Sequence, residues 1–300
     1  MEMLTVSNIC KQFGEKKVLT NLNFSVPEGS VFGFVGQNGA GKTTTMKLIL
    51  GLIAAGSGEI CINGERVSYG QNSTNRHVGY LPDVPEFYPY MTPTEYLSFC
   101  GEITGMETGK IKKRTAELLS LVGLENEKRR IKGFSRGMKQ RLGIAQALLN
   151  QPKLLICDEP TSALDPVGRK EILDILVSSK AQTTVLFSTH ILSDVERICN
   201  EIAFINEGKI ALSGTLEQIK NMHRAAGFEI ELENSVDADR LLSSFPKGRK
   251  MTETHIVYDG STQQEMTEVW GFIIDQKLTF KKIERLEHTL ESLFLEVIGK

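Results

Sequence analysis

Apolar runs and helical spacings alternate along most of this chain, and the alternation predicts an α/β fold. Val31-Phe32-Gly33-Phe34-Val35 is a continuous apolar run of strand length, followed ten residues on by Met46-Lys47-Leu48-Ile49-Leu50 with helical spacing. Before it, Leu4-Thr5-Val6 and Val18 to Leu22 read as hairpin strands, and Glu59 to Gly64 as a strand with its turn. From Thr94 to Leu149 the period becomes helical in three segments, the last running from Met138 to Leu149 and ending before Gln151-Pro152. Beyond Pro152, strands Leu154–Cys157 and Thr184–Phe187 alternate with helices Gly168–Ser179 and Ile191–Cys199. Such alternation implies a parallel sheet covered on both faces. Ala203-Phe204-Ile205 and Ile210-Ala211-Leu212 read as a hairpin around Asn206-Glu207-Gly208. The pattern shifts after Ala226: alternating strands at 228–232 and 255–258, helices at 237–245 and 265–275, a strand at 280–283 and a helix at 289–297, with Trp270 and Phe272 of the second of these helices read as core. The expectation is a principal domain over 1–226, helical at about 88–150, and a small α+β domain over 227–300.

Composition narrows the picture. At 40% hydrophobic and 24% charged, the 300 residues are those of an ordinary soluble protein. The net charge of −2 argues against bulk electrostatic binding to nucleic acid or anionic lipid. Cysteines at 10, 61, 100, 157 and 199 lack metal spacing and read as small core residues in a reducing compartment. Met1 to Thr5 has no signal-peptide character, and no stretch approaches the roughly 20 apolar residues of a membrane span.

Candidate chemistry begins between the first buried strand and the helix after it. Gly36-Gln37-Asn38-Gly39-Ala40-Gly41-Lys42-Thr43-Thr44 is a glycine-rich loop ending in Gly-Lys-Thr, a phosphate-binding loop in its confirming context. Backbone amides and the positive end of the helix dipole favour an anion there. Lys42 can neutralise phosphate oxygens and the Thr43 hydroxyl can ligate Mg²⁺. A second element follows: the strand 154–157 ends in Asp158-Glu159, where Asp158 suits the Mg²⁺ shell and Glu159 a water in line with the terminal phosphate. Ser135 occupies a helix N-cap position ahead of Leu142, Ala145 and Leu148, and that helix start, with the Gly137 amide, is a second place for an anion.

In this order, the motifs resemble those of the ATP-binding cassette (ABC) ATPases over roughly residues 1–220. The resemblance implies a P-loop NTPase of the ABC type, with an N-terminal antiparallel β subdomain and an inserted helical subdomain, binding ATP and Mg²⁺. The family's Leu-Ser-Gly-Gly-Gln signature reads Phe134-Ser135-Arg136-Gly137-Met138 here, keeping the Ser and the second Gly. By resemblance, Ser135, Arg136 and Gly137 contact a nucleotide held by a second subunit, and Asp165 belongs to a loop at that interface. The active form would then be a homodimer, or a heterodimer with a similar cassette. His190 is similar to the family's switch histidine at the γ-phosphate, with Lys42 and Glu159 completing the catalytic set. Phe13 takes the place of an adenine-stacking aromatic, commonly Tyr. Asp83 stands where the family has Gln; the carboxylate either ligates Mg²⁺ or serves only its loop.

The same resemblance implies a cytoplasmic ATPase docked on a separate integral membrane permease at the plasma membrane, with no nucleic acid partner. The aromatic-rich Val84 to Met91 and the helical region after it lie where the family docks its permease. Ser135-Arg136-Gly137-Met138-Lys139-Gln140-Arg141 and the ending Leu290-Glu291-Ser292-Leu293-Phe294-Leu295 resemble the bacitracin and daunorubicin resistance ATPases, an ABC-2-type exporter branch. The alternative, an ABC-type motor on ribosomes or DNA, fits less well. The chain has one cassette and no sustained heptads between Thr44 and Phe134.

Overall fold

The N-terminal alternation folds as a long antiparallel hairpin, β1 (Glu2–Phe13) with β2 (Lys16–Pro27). Leu4, Val6 and Ile9 of β1 and Leu19, Leu22, Phe24 and Val26 of β2 are buried on one face. After β3 (Val31–Val35) and α1 (Lys42–Ile49), strands β4 (Ser57–Ile62) and β5 (Glu65–Arg66) extend the hairpin into a four-stranded sheet of order β2-β1-β4-β5. The N-terminal β subdomain expected from the sequence is this sheet.

Helices α2 (Pro93–Ile103), α3 (Thr108–Leu121) and α4 (Arg136–Ala147) follow β6 (Val78–Leu81). Thr92 and Glu95 form a reciprocal capping box with Pro93 in the first turn, fixing where α2 starts. The Tyr96 hydroxyl donates to Gln146 Oε1 at 3.0 Å, joining α2 to α4. The buried Arg114 guanidinium donates to the Leu148 carbonyl at 2.9 Å, joining α3 to the end of α4.

The central sheet is completed by β7 (Leu154–Asp158), β8 (Thr184–Thr189), β9 (Glu201–Asn206) and β10 (Lys209–Thr215), with α5 (Pro166–Ser179) and α6 (Leu192–Ile198) between them. Its order is β10-β9-β3-β8-β7-β6, parallel except for β10. Every residue of β3, β7 and β8 is buried, which is why these strands read as unbroken apolar runs. Register sets Val35 beside Thr189 and Asp158 beside Ser188, so the carboxyl ends of three strands lie side by side. Open α/β sheets bind their ligands at that end.

After α7 (Leu216–Met222), β11 (Phe228–Leu232), α8 (Ser235–Ser244), β12 (Arg249–Lys250), β13 (His255–Tyr258), α9 (Gln263–Asp275) and β14 (Phe280–Arg285) form a β-α-β-β-α-β unit. Its antiparallel sheet has the order β12-β13-β11-β14. Phe228, Ile230, Leu232, Ile256 and Tyr258 pack with Leu241, Val269 and Ile273 of the helices. On the other strand positions, Glu229 and Glu231 pair with Lys282, His255 and Lys281.

The computed structural model describes residues 1–71, 73–222, 227–286, 290, 291, 293 and 294. The chain divides into two compact units, Met1–Leu216 and Glu217–Lys300, so the division falls ahead of the composition shift at 226. Of the helix expected at 289–297, residues 289, 292 and 295–297 lie outside the described residues. Two expectations need correction. Only Cys157 and Cys199 are buried, while Cys10, Cys61 and Cys100 are half-buried. Trp270, expected in the core of the second unit, is 40% exposed; α9 packs through Met266, Val269 and Ile273, and position 270 lies at the edge of that face.

Candidate functional site

The glycine-rich loop turns directly from β3 into α1. Gly41 is the N-cap of α1 at φ 115°, with no side-chain cap. A Cβ there would meet Leu19 Cδ2 at 2.7 Å, so both conformation and space require glycine. With no side-chain cap at this end, the first amides of α1 remain available to an anion and the helix dipole reinforces them. The Gly36 amide donates to the Thr189 carbonyl at 3.3 Å and the Ala40 amide to the Gln37 carbonyl at 3.2 Å, which hold the loop's shape. The turn between β9 and β10 adds a further tie, from the Gly208 amide to the Ala40 carbonyl at 3.1 Å.

A cavity of about 850 Å³ opens over this loop. Phe13, Asn38, Gly39, Gly41, Lys42, Thr43, Thr44, Asp83 and Glu159 line it, all of them sequence candidates. Lys16, Lys17, Val18 and Glu207 line it too and were missed. A basic pair within four positions of the candidate aromatic was the available signal for the lysines. Phe13 is half exposed, with Lys11 Nζ 4.7 Å from its ring centroid. A ring so placed offers a π-face to a flat heterocycle.

The catalytic candidates meet at the strand ends. Lys42 Nζ donates to the carbonyls of Gly36 at 2.7 Å and Gln37 at 3.2 Å, and lies 3.1 Å from Glu159 Oε1. Lys42 is 5% exposed, so its charge acts in a poorly screened setting. Glu159 Oε2 is 2.9 Å from His190 Nδ1. Glu159 adopts φ 50°, an uncommon left-handed conformation for a side chain of this kind, and its amide donates to the Ser188 carbonyl at 3.0 Å. This turn separates neighbouring carboxylates: Glu159 faces Lys42 and His190, while the buried Asp158 accepts from the Ser188 hydroxyl. Ser188 was not anticipated. Burial, reinforced by the Asp158 charge, pushes the Tyr80 phenol up to about 12.

The remaining candidates lie outside the cavity lining. Ser135 is the N-cap of α4, its hydroxyl accepting from the Met138 amide at 3.2 Å. Asp165 caps α5 by accepting from the Gly168 amide at 3.4 Å. Arg136 Nη2 donates to Asp83 Oδ1 at 3.1 Å, so two sequence candidates are paired with each other. Gln140 Nε2 holds the Asp83 carbonyl at 2.6 Å.

Magnesium fits the donor set. Thr43 and Asp158 offer only oxygen, the chemistry Mg²⁺ prefers, and one hydroxyl with one carboxylate leaves the rest of an octahedron to phosphate and water. Among the described residues no group of three or more His, Cys, Asp or Glu could hold a metal by itself.

The ABC transporter family model matches residues 19–162. The ABC transporter ATP-binding protein YxlF of Bacillus subtilis is 36% identical over 99% of each chain. The bacitracin transport ATP-binding protein BcrA of Bacillus licheniformis is 34% identical over 99% of this chain and 97% of its own. The chain belongs to the ABC transporter ATP-binding proteins. It is the ATP-binding, ATP-hydrolysing subunit of an ABC transporter. The lantibiotic transport ATP-binding protein SrtF of Streptococcus pyogenes, 39% identical, covers 77% of this ABC ATPase and 99% of itself. A solved ATP-binding subunit of an ABC transporter, 34% identical, superposes with a TM-score of 0.65 over 73% of this chain and 92% of its own. A cbiO1 structure from Clostridium perfringens, 26% identical, gives 0.68 over 73% and 90%.

Proposed function

We propose that this ABC ATPase hydrolyses Mg²⁺·ATP sandwiched between two cassettes and drives a membrane exporter. The observation that carries the reading is the chain of charge at the strand ends: Lys42 to Glu159 at 3.1 Å and Glu159 to His190 at 2.9 Å, opposite the open N-terminus of α1. The loop amides and Lys42 hold the β- and γ-phosphates, and Phe13 stacks on the adenine. Thr43 and Asp158 would hold Mg²⁺, which spreads the charge of the transferring phosphoryl group. Glu159 orients the attacking water by accepting its hydrogen bond, and His190 positions Glu159 and meets the γ-phosphate.

Ser135, Arg136, Gly137 and Asp165 support the paired arrangement. They lie outside the lining of the chain's own cavity, at exposed helix starts suited to nucleotide on a second copy. Loss of the γ-phosphate removes what the two copies share, and their separation is the mechanical output. The recipient is a membrane permease, a reading supported by the likeness to ATP-binding subunits of ABC transporters. Tyr88 and Tyr90, 46% and 59% exposed and packed on each other, with Tyr88 also edge-on to Phe99, suit a permease surface at the cytoplasmic face. The likeness to bacitracin and lantibiotic transport proteins supports export as the direction. Residues 1–216 act as the cassette and the second unit as an accessory domain.

The test is Glu159→Gln with ATP and Mg²⁺. The variant binds ATP, barely turns over and accumulates as a dimer in sedimentation; a variant that stays monomeric with saturating ATP, permease supplied, overturns the paired reading.

A further inference from the structure

Two positions that differ from the general ABC pattern touch each other. Asp83 replaces a neutral Gln, Arg136 replaces a Gly, and their side chains form an ion pair at 3.1 Å. The pairing is built into the fold. Arg136, Gln140 and Gly143 occupy one face of α4 at helical spacing, and all three meet the segment after β6. Buried Gln140 grips the Asp83 carbonyl at 2.6 Å. At Gly143 a Cβ would approach Leu81 Cδ1 to 2.5 Å, so glycine lets β6 and α4 lie close enough for Arg136 to reach Asp83.

We propose that Asp83 is a positioning residue that holds Arg136 in cis until a triphosphate on a second copy displaces it; this rests on the paired reading above. The two side chains are 42% and 48% exposed, so the clasp is solvent-screened and weak. A triphosphate carries several charges and matches the guanidinium fork, so it outcompetes one carboxylate. When the γ-phosphate leaves, the advantage falls and Asp83 recaptures Arg136. Asp83 also lines its own chain's cavity, so the exchange unpairs a carboxylate on that lining each time the copies engage. A neutral Gln would supply no counter-charge for this exchange.

The experiment measures the ATP concentration that half-dimerises the full chain carrying Glu159→Gln, with Mg²⁺. Adding Asp83→Asn frees Arg136 and lowers that concentration, up to about fivefold for an exposed pair. Asp83→Glu keeps the parent's requirement. Arg136→Gln raises the requirement and makes Asp83→Asn silent, a coupling that a purely structural role of Asp83 would not produce. An unchanged or higher requirement with Asp83→Asn, or the same effect in the Arg136→Gln background, overturns the clasp while leaving paired cassettes intact. A parent that never dimerises overturns the paired reading and the clasp together.

Discussion

The starts of α1 and α4 are both helix N-termini read from the sequence as anion sites, and the structure treats them differently. At α1 the N-cap is a glycine with no side-chain cap, and Lys42 is buried against Glu159. At α4 the N-cap is a serine whose hydroxyl is spent on the Met138 amide, and Arg136 is half exposed against Asp83. The first is a concave site with its charges desolvated. The second is an exposed end whose charge is already paired. On the proposed paired reading, one chain carries a concave half of the site and a loose counterpart for a second copy. The contrast teaches that the same local physics, orphan amides plus a dipole, makes a binding site only where the surroundings exclude water and supply concavity.

Substitutions can break or sharpen this contrast. The largest effect is expected at Glu159. Glu159→Gln should lower turnover at saturating ATP by about 10²–10⁴ while ATP affinity persists, since it removes the carboxylate charge that polarises the water and not the phosphate cradle. Lys42→Ala should weaken ATP binding by about a hundredfold, the size of a lost charged hydrogen bond of about 3 kcal/mol, read by isothermal titration. An equal loss of affinity in Arg136→Ala would erase the distinction between the two helix starts.

Ser135→Ala is next. It should cost about 1 kcal/mol of stability through the lost cap, lower turnover, and leave the ATP affinity of the isolated monomer unchanged. Phe13→Ala should raise the ATP requirement by about threefold to tenfold, the worth of one aromatic stack, with little change in maximal turnover. The smallest effect is in the second unit, where the Lys282 ammonium, then burial opposing it, then His255, leave Glu229 below its ordinary value. A carboxylate whose value falls on folding stabilises the native state above its unfolded value. That contribution is lost as pH falls through the folded value, below about pH 4. Glu229→Gln should therefore flatten the acid limb of the thermal-melting profile slightly.

The two structural units were not equally legible. In the first, Gly36–Thr44, Asp158 and Glu159 could be named because phosphate chemistry demands those residue types in that local order, and the strands beside them are fully buried runs. The N-cap role of Ser135 could be named for the same local reason. The relatives reflect the same division: SrtF and the solved cassettes cover about three quarters of the chain, whereas YxlF and BcrA extend over 99% of it. In the second unit only the longer elements could be read, and the two-residue β12 was not. The β12-β13-β11-β14 order depends on pairing between distant strands, and Trp270 was misplaced because a 13-residue helix buries only one stripe.

Sequence by itself determined what depends on neighbours in the chain: the turn at Gly41, the capping of α2 and α4, the apolar strands and the residue types that meet phosphate. Only the tertiary structure decided what depends on register and on packing between distant segments. It brought Ser188 to Asp158 and Glu159 between Lys42 and His190, because parallel strands align their carboxyl ends through hydrogen bonds that no local pattern records. It also paired Asp83 with Arg136, because the close packing of α4 against β6 sets that distance.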